Sequence, residues 1–379
     1  MSPNKIDAAR NLLSDDLSKT VFERRLLYAE TGNNVHLFNM LTDAFSAQSW
    51  FRYESNNNLV NIAKTLIEKK ESGNNVKIIL FGAGNGALTP LQLIHEYGFT
   101  KMDSVSCLFC DNNPALWGKK RDHRNPNMRL PILSPEEIKT FASDVNCWVI
   151  ITINSQHASQ AVFEQCLSLG FDKNRIIKQT DQYEYFLGRM YFEEGIVPHS
   201  EKEIFCDVGA YDMANSQQFI QWSKGNYEKI IAFEADPVSY EKCKETIEIA
   251  KLERVELLFN GLHSSNTEMR FLSAPDGEYG GSRIDDSGEV IVKAITLDSY
   301  LKGAPVSFIK MDIEGAELDA LKGAENTIKT WKPKLAISAY HKLWDIVELP
   351  LFIKELNPQY KFYLRHHTCG IYDTVLYAV

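Results

Sequence analysis

The chain has 379 residues, 44% of them hydrophobic and 24% charged, with a formal net charge of -9. That length holds more than one core-forming domain. The acidic balance excludes a nucleic-acid backbone as the main partner, because phosphate binding needs a basic surface.

No apolar run reaches the roughly 20 residues of a membrane span, and "MSPNKIDAARNLLSDD" has no signal-peptide core. The short basic run "WGKKRDHR" (117–124) reads as a solvated loop. Seven cysteines, odd in number and scattered, make no disulfide framework. Cys107 and Cys110 form an isolated CxxC inside the apolar "SVSCLFCD" and read as strand thiols. A cytoplasmic enzyme is the expectation.

Residues 1–75 carry helical spacing and predict a helical leader. In "DDLSKTVFERRLLYAETG" the residues Leu17, Val21, Phe22 and Leu26 share a face, and Gly32 offers a stop. "NNLVNIAKTLIEKKESGNN" repeats the pattern. From residue 76 a strand–helix alternation begins. "VKIILF" reads as a buried parallel strand and "LTPLQLIHEYG" as a helix, followed by the strand "SVSCLFCDNNP" and the segment "LSPEEIKTFA". The strand "CWVIITI", the helix "SQAVFEQCLSLG" and the strand "RIIKQ" complete a small Rossmann-like, nucleotide-binding-type domain over 76–185.

Its turn "FGAGNGA" supplies Gly82, Gly84, Asn85 and Ala87, with Asp111 ending the next strand. That is a dinucleotide-type fingerprint and marks a second candidate site. Three readings stay open: a nucleotide or nucleotide-sugar site, an oxidoreductase site, or an inherited fold that holds no ligand. Neither a Tyr-x-x-x-Lys pair nor a catalytic Cys–His set accompanies the turn.

A second series fills 190–379, with strands predicted at 203–207, 229–235, 255–261, 307–313 and 334–340. In the helix pattern "ELDALKGAENTIKTW" the residues Leu318, Leu321, Ile328 and Trp331 fall on one face. "YKFYLRHHT" and "DTVLYAV" close the chain as an antiparallel hairpin. The fold class is therefore α/β, with a C-terminal Class I (Rossmann-like) methyltransferase-type domain after the smaller α/β domain and the leader.

In open α/β sheets the ligand sits beyond the carboxyl ends of the strands. Gly209 and Ala210 there let a backbone approach the amino-acid part of S-adenosylmethionine (SAM). Asp207 either holds the loop or reaches the ligand's ammonium through water, and Glu234 suits ribose hydroxyls. Asp312, Glu314 and His341 are candidates for a base near an acceptor hydroxyl. Asp312 and Glu314 alternate, so both face one side while the segment stays extended. Glu314 and Glu317 also sit where a helix begins and acids favour its dipole. His341 reads equally as an ordinary loop histidine. Tyr211, Tyr340 and Trp344 either face a sulfonium or rim the core. Carboxylate oxygens near Asp312 are compatible with a divalent metal, but no compact motif assigns one.

"FCDVGAYDMANSQQF", "AFEADP", "ITLDSYL", "FIKMDIEGAELDALKGAE", "AISAYH" and "FYLRHHT…DTVLYAV" together resemble the FkbM-type SAM-dependent methyltransferases, over about 203–379. The leader and the "FGAGN…DNNP" segment resemble longer bacterial members. The resemblance implies SAM as cofactor, with Asp207, Gly209, Ala210, Tyr211, Ser216, Glu234, Ala235, Asp236, Asn260, Gly261 and Leu262 as cofactor positions. It implies methyl transfer to a hydroxyl of a sugar, a glycan or a related natural product, with Asp312, Glu314 and His341 on the acceptor side. Family members usually have Gly where this chain has Met213. The expected partner is a small-molecule or glycan acceptor, and a homo-oligomer is compatible with the sequence. Two rival readings remain: a dinucleotide-dependent oxidoreductase using 76–185, and a non-catalytic SAM or nucleotide-sugar binding module.

Overall fold

The computed structural model describes residues 1–32, 36–37, 76–84, 105–122, 129–153, 155–178, 190–272, 283–284, 288, 290–367 and 372–379. The expected helices "NNLVNIAKTLIEKKESGNN" and "LTPLQLIHEYG", the turn residues Asn85 and Ala87, and the turn before "DTVLYAV" lie outside the described residues. The chain divides into two compact units, Met1–Thr31 with Arg189–Val379, and Gly32–Gly188. No helix among the described residues is long and apolar enough to cross a membrane.

The predicted leader is therefore divided, and its first part belongs with the C-terminal unit. Helices α1 (Pro3–Leu12) and α2 (Asp16–Thr31) form it. Val21 and Phe22 of α2 are buried, but Leu17 and Leu26 are half-buried, while Ser18 and Arg25 join the inner face. The reason is what the helix covers, namely an open strand edge with backbone groups to satisfy. Ser14 N donates to Phe362 O at 2.8 Å, and Leu364 N donates to Ser18 Oγ at 2.9 Å. A polar inner face is what a strand edge requires.

In the unit Gly32–Gly188 the strands are β1 (Val76–Phe81), β2 (Val105–Cys110), β3 (Lys120–Asp122), β4 (Arg129–Leu133), β5 (Cys147–Ile151) and β6 (Ile176–Lys178). Helices α3 (Pro135–Ile138) and α4 (Gln156–Ser168) lie between them in the chain. The sheet order is β3-β4-β2-β1-β5-β6, parallel except for the β3–β4 pair. Every residue of β1 but Lys77 is buried, which explains its unbroken apolar run. Cys107 and Cys110 both lie in β2, three residues apart and so on opposite faces, which denies them a shared metal.

The C-terminal unit is built on β7 (Glu203–Val208), α5 (Ala214–Trp222), β8 (Tyr227–Glu234), α6 (Pro237–Ile249) and β9 (Val255–Phe259). After an insertion come α7 (Leu297–Leu301), β14 (Phe308–Met311), α8 (Glu317–Lys322), α9 (Glu325–Trp331), β15 (Lys334–Ser338), α10 (Asp345–Leu356), β16 (Phe362–His366) and β17 (Thr374–Ala378). The seven-stranded order is β16-β17-β15-β14-β7-β8-β9. β17 runs antiparallel to both β15 and β16, and the other pairs are parallel. A core of stacked and edge-on rings, among them Phe205, Phe219 and Phe308, lies against β7 and β14.

Two expectations are corrected. The segment 255–261 is not one strand: it breaks at Asn260, and β10 (Gly261–Leu262) joins a separate four-stranded sheet with β11 (Thr267–Leu272), β12 (Arg283–Ile284) and β13 (Val290–Ile295). The pattern "ELDALKGAENTIKTW" is likewise two helices, α8 and α9, parted at Gly323. A Cβ there would run into the carbonyl oxygen of His263, so the chain must pass close at that point. The break rotates Trp331 out to 43% exposure, while Leu321 and Ile328 stay buried.

The N-terminal segment is held by one ion pair in particular. Arg365 Nη2 lies 2.6 Å from Asp15 Oδ2 and its Nη1 3.2 Å from Oδ1, a two-pronged contact. Arg365 is buried and Asp15 about one-third exposed. Asp15→Ala should lower unfolding free energy by about 2 kcal/mol, between the values for surface and buried pairs, as read from denaturant midpoints. Burial would raise the Asp15 carboxyl, but the Arg365 and Ser18 hydrogen bonds outweigh it and hold its pKa below the ordinary 3.8. The stabilisation is thus fully present above that value and is lost as pH falls below it, through the lowered value of the folded state. Wild type and variant should converge in stability at low pH.

Candidate functional site

Strand order reverses between β14 and β7, since β7 pairs with β8 on its other side. Loops leaving the carboxyl ends of these strands diverge there and leave a crevice. The loops at 209–213, 234–236, 312–316 and 339–342 follow β7, β8, β14 and β15.

Gly209 has φ +80°, and a Cβ on it would run into the carbonyl oxygen of Asp312. The glycine is required by another loop of the same chain, whatever else approaches it. Beneath it, Lys310 Nζ donates to Gly209 O at 2.7 Å and lies 3.0 Å from Asp207 Oδ1. Ser216 Oγ donates to Asp207 Oδ2 at 2.7 Å. Lys310, Asp207 and Ser216 are all fully buried. Asp207 and Ser216 therefore brace the turn from below, with Lys310 as the counter-charge.

Met213 takes φ +66°, the left-handed region, and its N–H closes a turn on Ala210 O at 2.8 Å. This is why glycine suits the position: for an L-residue that conformation costs roughly 1–2 kcal/mol. The methionine side chain is fully buried against Ala210, Ala232 and Cys243, and burying a side chain of that size returns about 2 kcal/mol. The substitution exchanges backbone ease for packing and leaves the turn intact.

Glu234 ends β8 and spans two loops. Its Oε2 accepts from Tyr211 N and its Oε1 from Asp236 N, each at 2.8 Å. Burial raises its pKa while the two N–H donors oppose that. Asp236 caps α6, with Oδ2 accepting from Ser239 N at 2.9 Å, and its buried Oδ1 has no hydrogen-bond partner among the described residues. Ala235 lies beside Gly261, where an added Cβ would sit 3.8 Å from its own. Asn260 Nδ2 donates to Lys293 O at 3.2 Å, and Leu262 is buried in the small sheet. Glu234 and Asp236 thus bring together acceptor-only groups, one oxygen of them unsatisfied. Such a set suits the hydroxyl donors of a ribose, and SAM fits it on that ground.

The other side of the crevice is acidic. Asp312 Oδ2 accepts from Tyr191 Oη at 2.7 Å and Oδ1 from Tyr340 Oη at 3.1 Å. His341 Nε2 lies 3.4 Å from Asp312 Oδ1 and 3.5 Å from Glu314 Oε2, while Nδ1 lies 2.8 Å from Glu317 Oε1. Asp312, Glu314 and His341 are thus brought together, but not by strand alternation. β14 ends at Met311 and Glu314 is left-handed at φ +54°, so a turn through Gly315 folds its carboxylate back. Glu317, at the start of α8, accepts from Ile313 N at 3.0 Å instead of facing solvent. Burial opposes charge on His341, but the contacts with Glu317, Asp312 and Glu314 prevail and raise its pKa to about 9.

Sequence reasoning missed Lys310, Tyr191 and Arg25. Lys310 had a readable signal, a lysine inside the apolar strand "SFIKMDI". Tyr191 stood in a segment without periodicity. Arg25 reaches Tyr340 O from α2 at 3.5 Å, a contact between residues 315 positions apart that no local pattern marks.

In the unit Gly32–Gly188, Gly82 has φ +113° and a Cβ would meet Thr152 Oγ1 at 2.8 Å. Asp111 Oδ2 accepts from Ala83 N and Oδ1 from Asn113 N, each at 2.8 Å. Gly82 is thus needed for close packing on the segment after β5, and Asp111 braces the turn after β1 as well as its own. No atom of the described residues lies within 4 Å of a Cβ added at Gly84, and Asn85 lies outside the described residues.

Residues 207–365 match the model of the methyltransferase FkbM domain. Hexuronic acid methyltransferase AglP of Haloferax volcanii is 27% identical over 133 residues, or 34% of this chain. The match spans about half (53%) of that relative's length. Methyltransferase FkbM of Methylobacillus flagellatus aligns over 93% of this chain and all of its own, at 20% identity and a TM-score of 0.48. SMU.1697c of Streptococcus mutans, solved in complex with S-adenosylhomocysteine, aligns over 51% of this chain and 94% of its own, at 16% identity and a TM-score of 0.31. At residues 207–365 the chain carries a methyltransferase FkbM domain.

Proposed function

We propose that this domain is a SAM-dependent O-methyltransferase acting on a hydroxyl of a sugar, glycan or related natural product. The observation that carries the reading is the junction at Gly209. There the turn suited to the cofactor touches the backbone of Asp312, whose carboxylate heads the acidic rim. Donor and acceptor sides are thereby separated by one residue's thickness, the arrangement an in-line transfer needs.

When bound, SAM supplies a methyl group already activated on a sulfonium. Glu234, with Asp236 Oδ1, holds the ribose hydroxyls, and the Gly209–Ala210 turn receives the amino-acid end. Asp312, fixed by the Tyr191 and Tyr340 hydroxyls, accepts the acceptor hydroxyl's hydrogen bond and takes its proton as the carbon–oxygen bond forms. Tyr191 and Tyr340 are positioning residues, since they act through Asp312.

Likeness to a hexuronic acid methyltransferase supports a sugar acceptor. Asp312 offers a base, which a hydroxyl acceptor needs and a carboxylate acceptor, already ionised, does not.

SAM titrated calorimetrically should bind the full chain, and Glu234→Ala should weaken it by about 10–100-fold, the loss of one or two charge-assisted hydrogen bonds. Unchanged affinity in that variant would sink the cofactor assignment. Asp312→Asn should keep SAM affinity within about threefold yet cut methyl transfer by roughly 10²–10⁴-fold, measured with labelled SAM on a panel of glycans. Full turnover in Asp312→Asn would remove the role given to Asp312.

A further inference from the structure

We propose that Asp312, Glu317 and His341 form a binding site for one divalent cation of the manganese or zinc type. This rests on the methyltransferase reading only for the cation's use, which is to hold and polarise the acceptor's hydroxyls beside Asp312. Binding itself follows from the side chains.

Each of the three residues offers one donor atom, and these atoms all lie within 4.8 Å of one another. Two donors on one cation stand at most about twice the bond length apart, roughly 4.0–4.4 Å for oxygen or nitrogen bonds of about 2.0–2.2 Å. The cluster comes within a small side-chain adjustment of that limit. Its chemistry, one imidazole and two carboxylates, suits manganese, iron or zinc better than calcium, which prefers oxygen alone.

A second observation separates this cluster from an ordinary group of acids. The His341 side chain is only 8% exposed, yet despite its close approaches neither ring nitrogen has a hydrogen bond of acceptable geometry among the described residues. Glu317 is buried deeper still, at 1% exposure, and its Oε2 is also without a partner. Buried donors and acceptors are nearly always satisfied, so unsatisfied atoms on two residues of this one cluster mark a place for a ligand. Glu314 adds a third carboxyl group beside the same imidazole. Glu317 is also held ready: Ile313 N donates to its Oε1, which orients the carboxylate as ligand-supporting contacts do.

The test uses the full chain, stripped with EDTA and titrated with Mn²⁺ while the free ion is followed by electron paramagnetic resonance. One saturable site per chain is expected, weakened at least about 100-fold in His341→Ala and about 10–100-fold in Glu317→Gln. Glu348→Gln, an exposed acid on α10, should bind as wild type does. Nitrogen modulation in the pulsed spectrum of the wild-type Mn²⁺ complex should report the imidazole, and it needs no variant to fold. Absence of saturable binding up to about 1 mM, or of nitrogen coupling, overturns the proposal, as does unchanged binding in His341→Ala. SAM titrated into the same stripped protein reads the cofactor assignment separately. Binding of SAM without Mn²⁺ binding rejects the cation site alone.

Discussion

The structure depends on a close crossing of two backbones, Gly209 over the carbonyl of Asp312, with a buried lysine beneath. No side chain fits between them. Lys310 then ties both strands to one point, donating to Gly209 O while pairing with Asp207. A lysine buried to 1% is costly unless its charge is matched. Asp207 matches it, and Ser216 fills the remaining carboxylate oxygen. The ion pair does less for overall stability than for position, because it leaves the Gly209 turn one height above the sheet. Glu234 and the loop after β8 are referenced to that turn, and the acidic rim to the residue it touches.

The two units solve the same local problem alike. In each, the first glycine after the first strand has positive φ and donates its N–H to the last residues of the second strand: Gly82 to Cys110 O at 2.8 Å, Gly209 to Phe233 O at 3.0 Å. In each, an acid ending that second strand accepts an N–H from the same turn, Asp111 from Ala83 and Glu234 from Tyr211. Such a latch is what any sharp strand-to-helix turn needs to satisfy its exposed amides. A glycine-and-acid signature is therefore evidence of the turn before it is evidence of a ligand. The difference lies in what remains over. Asp111 spends one oxygen on the Gly82 turn and the other on its own loop, whereas the end of β8 adds Asp236, whose Oδ1 has no hydrogen-bond partner among the described residues.

Much of this was legible in the order of residues. Strand runs such as "VKIILF" and "KLAISAY" are continuous because both faces are covered, and the strand-end acids follow from where open sheets bind ligands. Three things were not legible. The breaks at Asn260 and Gly323 come from distant carbonyls and strands, so helical or strand periodicity runs straight through them. The small sheet β10–β13 is built from short strands, two of them of two residues, whose partners lie 11 to 33 residues away, a pairing that no local pattern encodes. The inner face of α2 is polar because it meets a strand edge, and an amphipathic reading looks for the opposite.

Glu317 shows most clearly why a local rule can be satisfied and still miss the role. An acid at the first position of a helix is favoured by the dipole, and Glu317 does occupy that position in α8. A residue placed there for the dipole alone would point to water, where the contribution is small and the desolvation cost is nil. Glu317 instead turns back, becomes almost wholly buried, takes the Ile313 amide and meets His341. Burying a carboxylate costs several kcal/mol unless charge or hydrogen bonds offset it, far more than the roughly 0.3–1 kcal/mol of a helix end. The dipole cannot account for its placement. The Ile313 amide and the His341 ring, both outside the helix, are what hold it there.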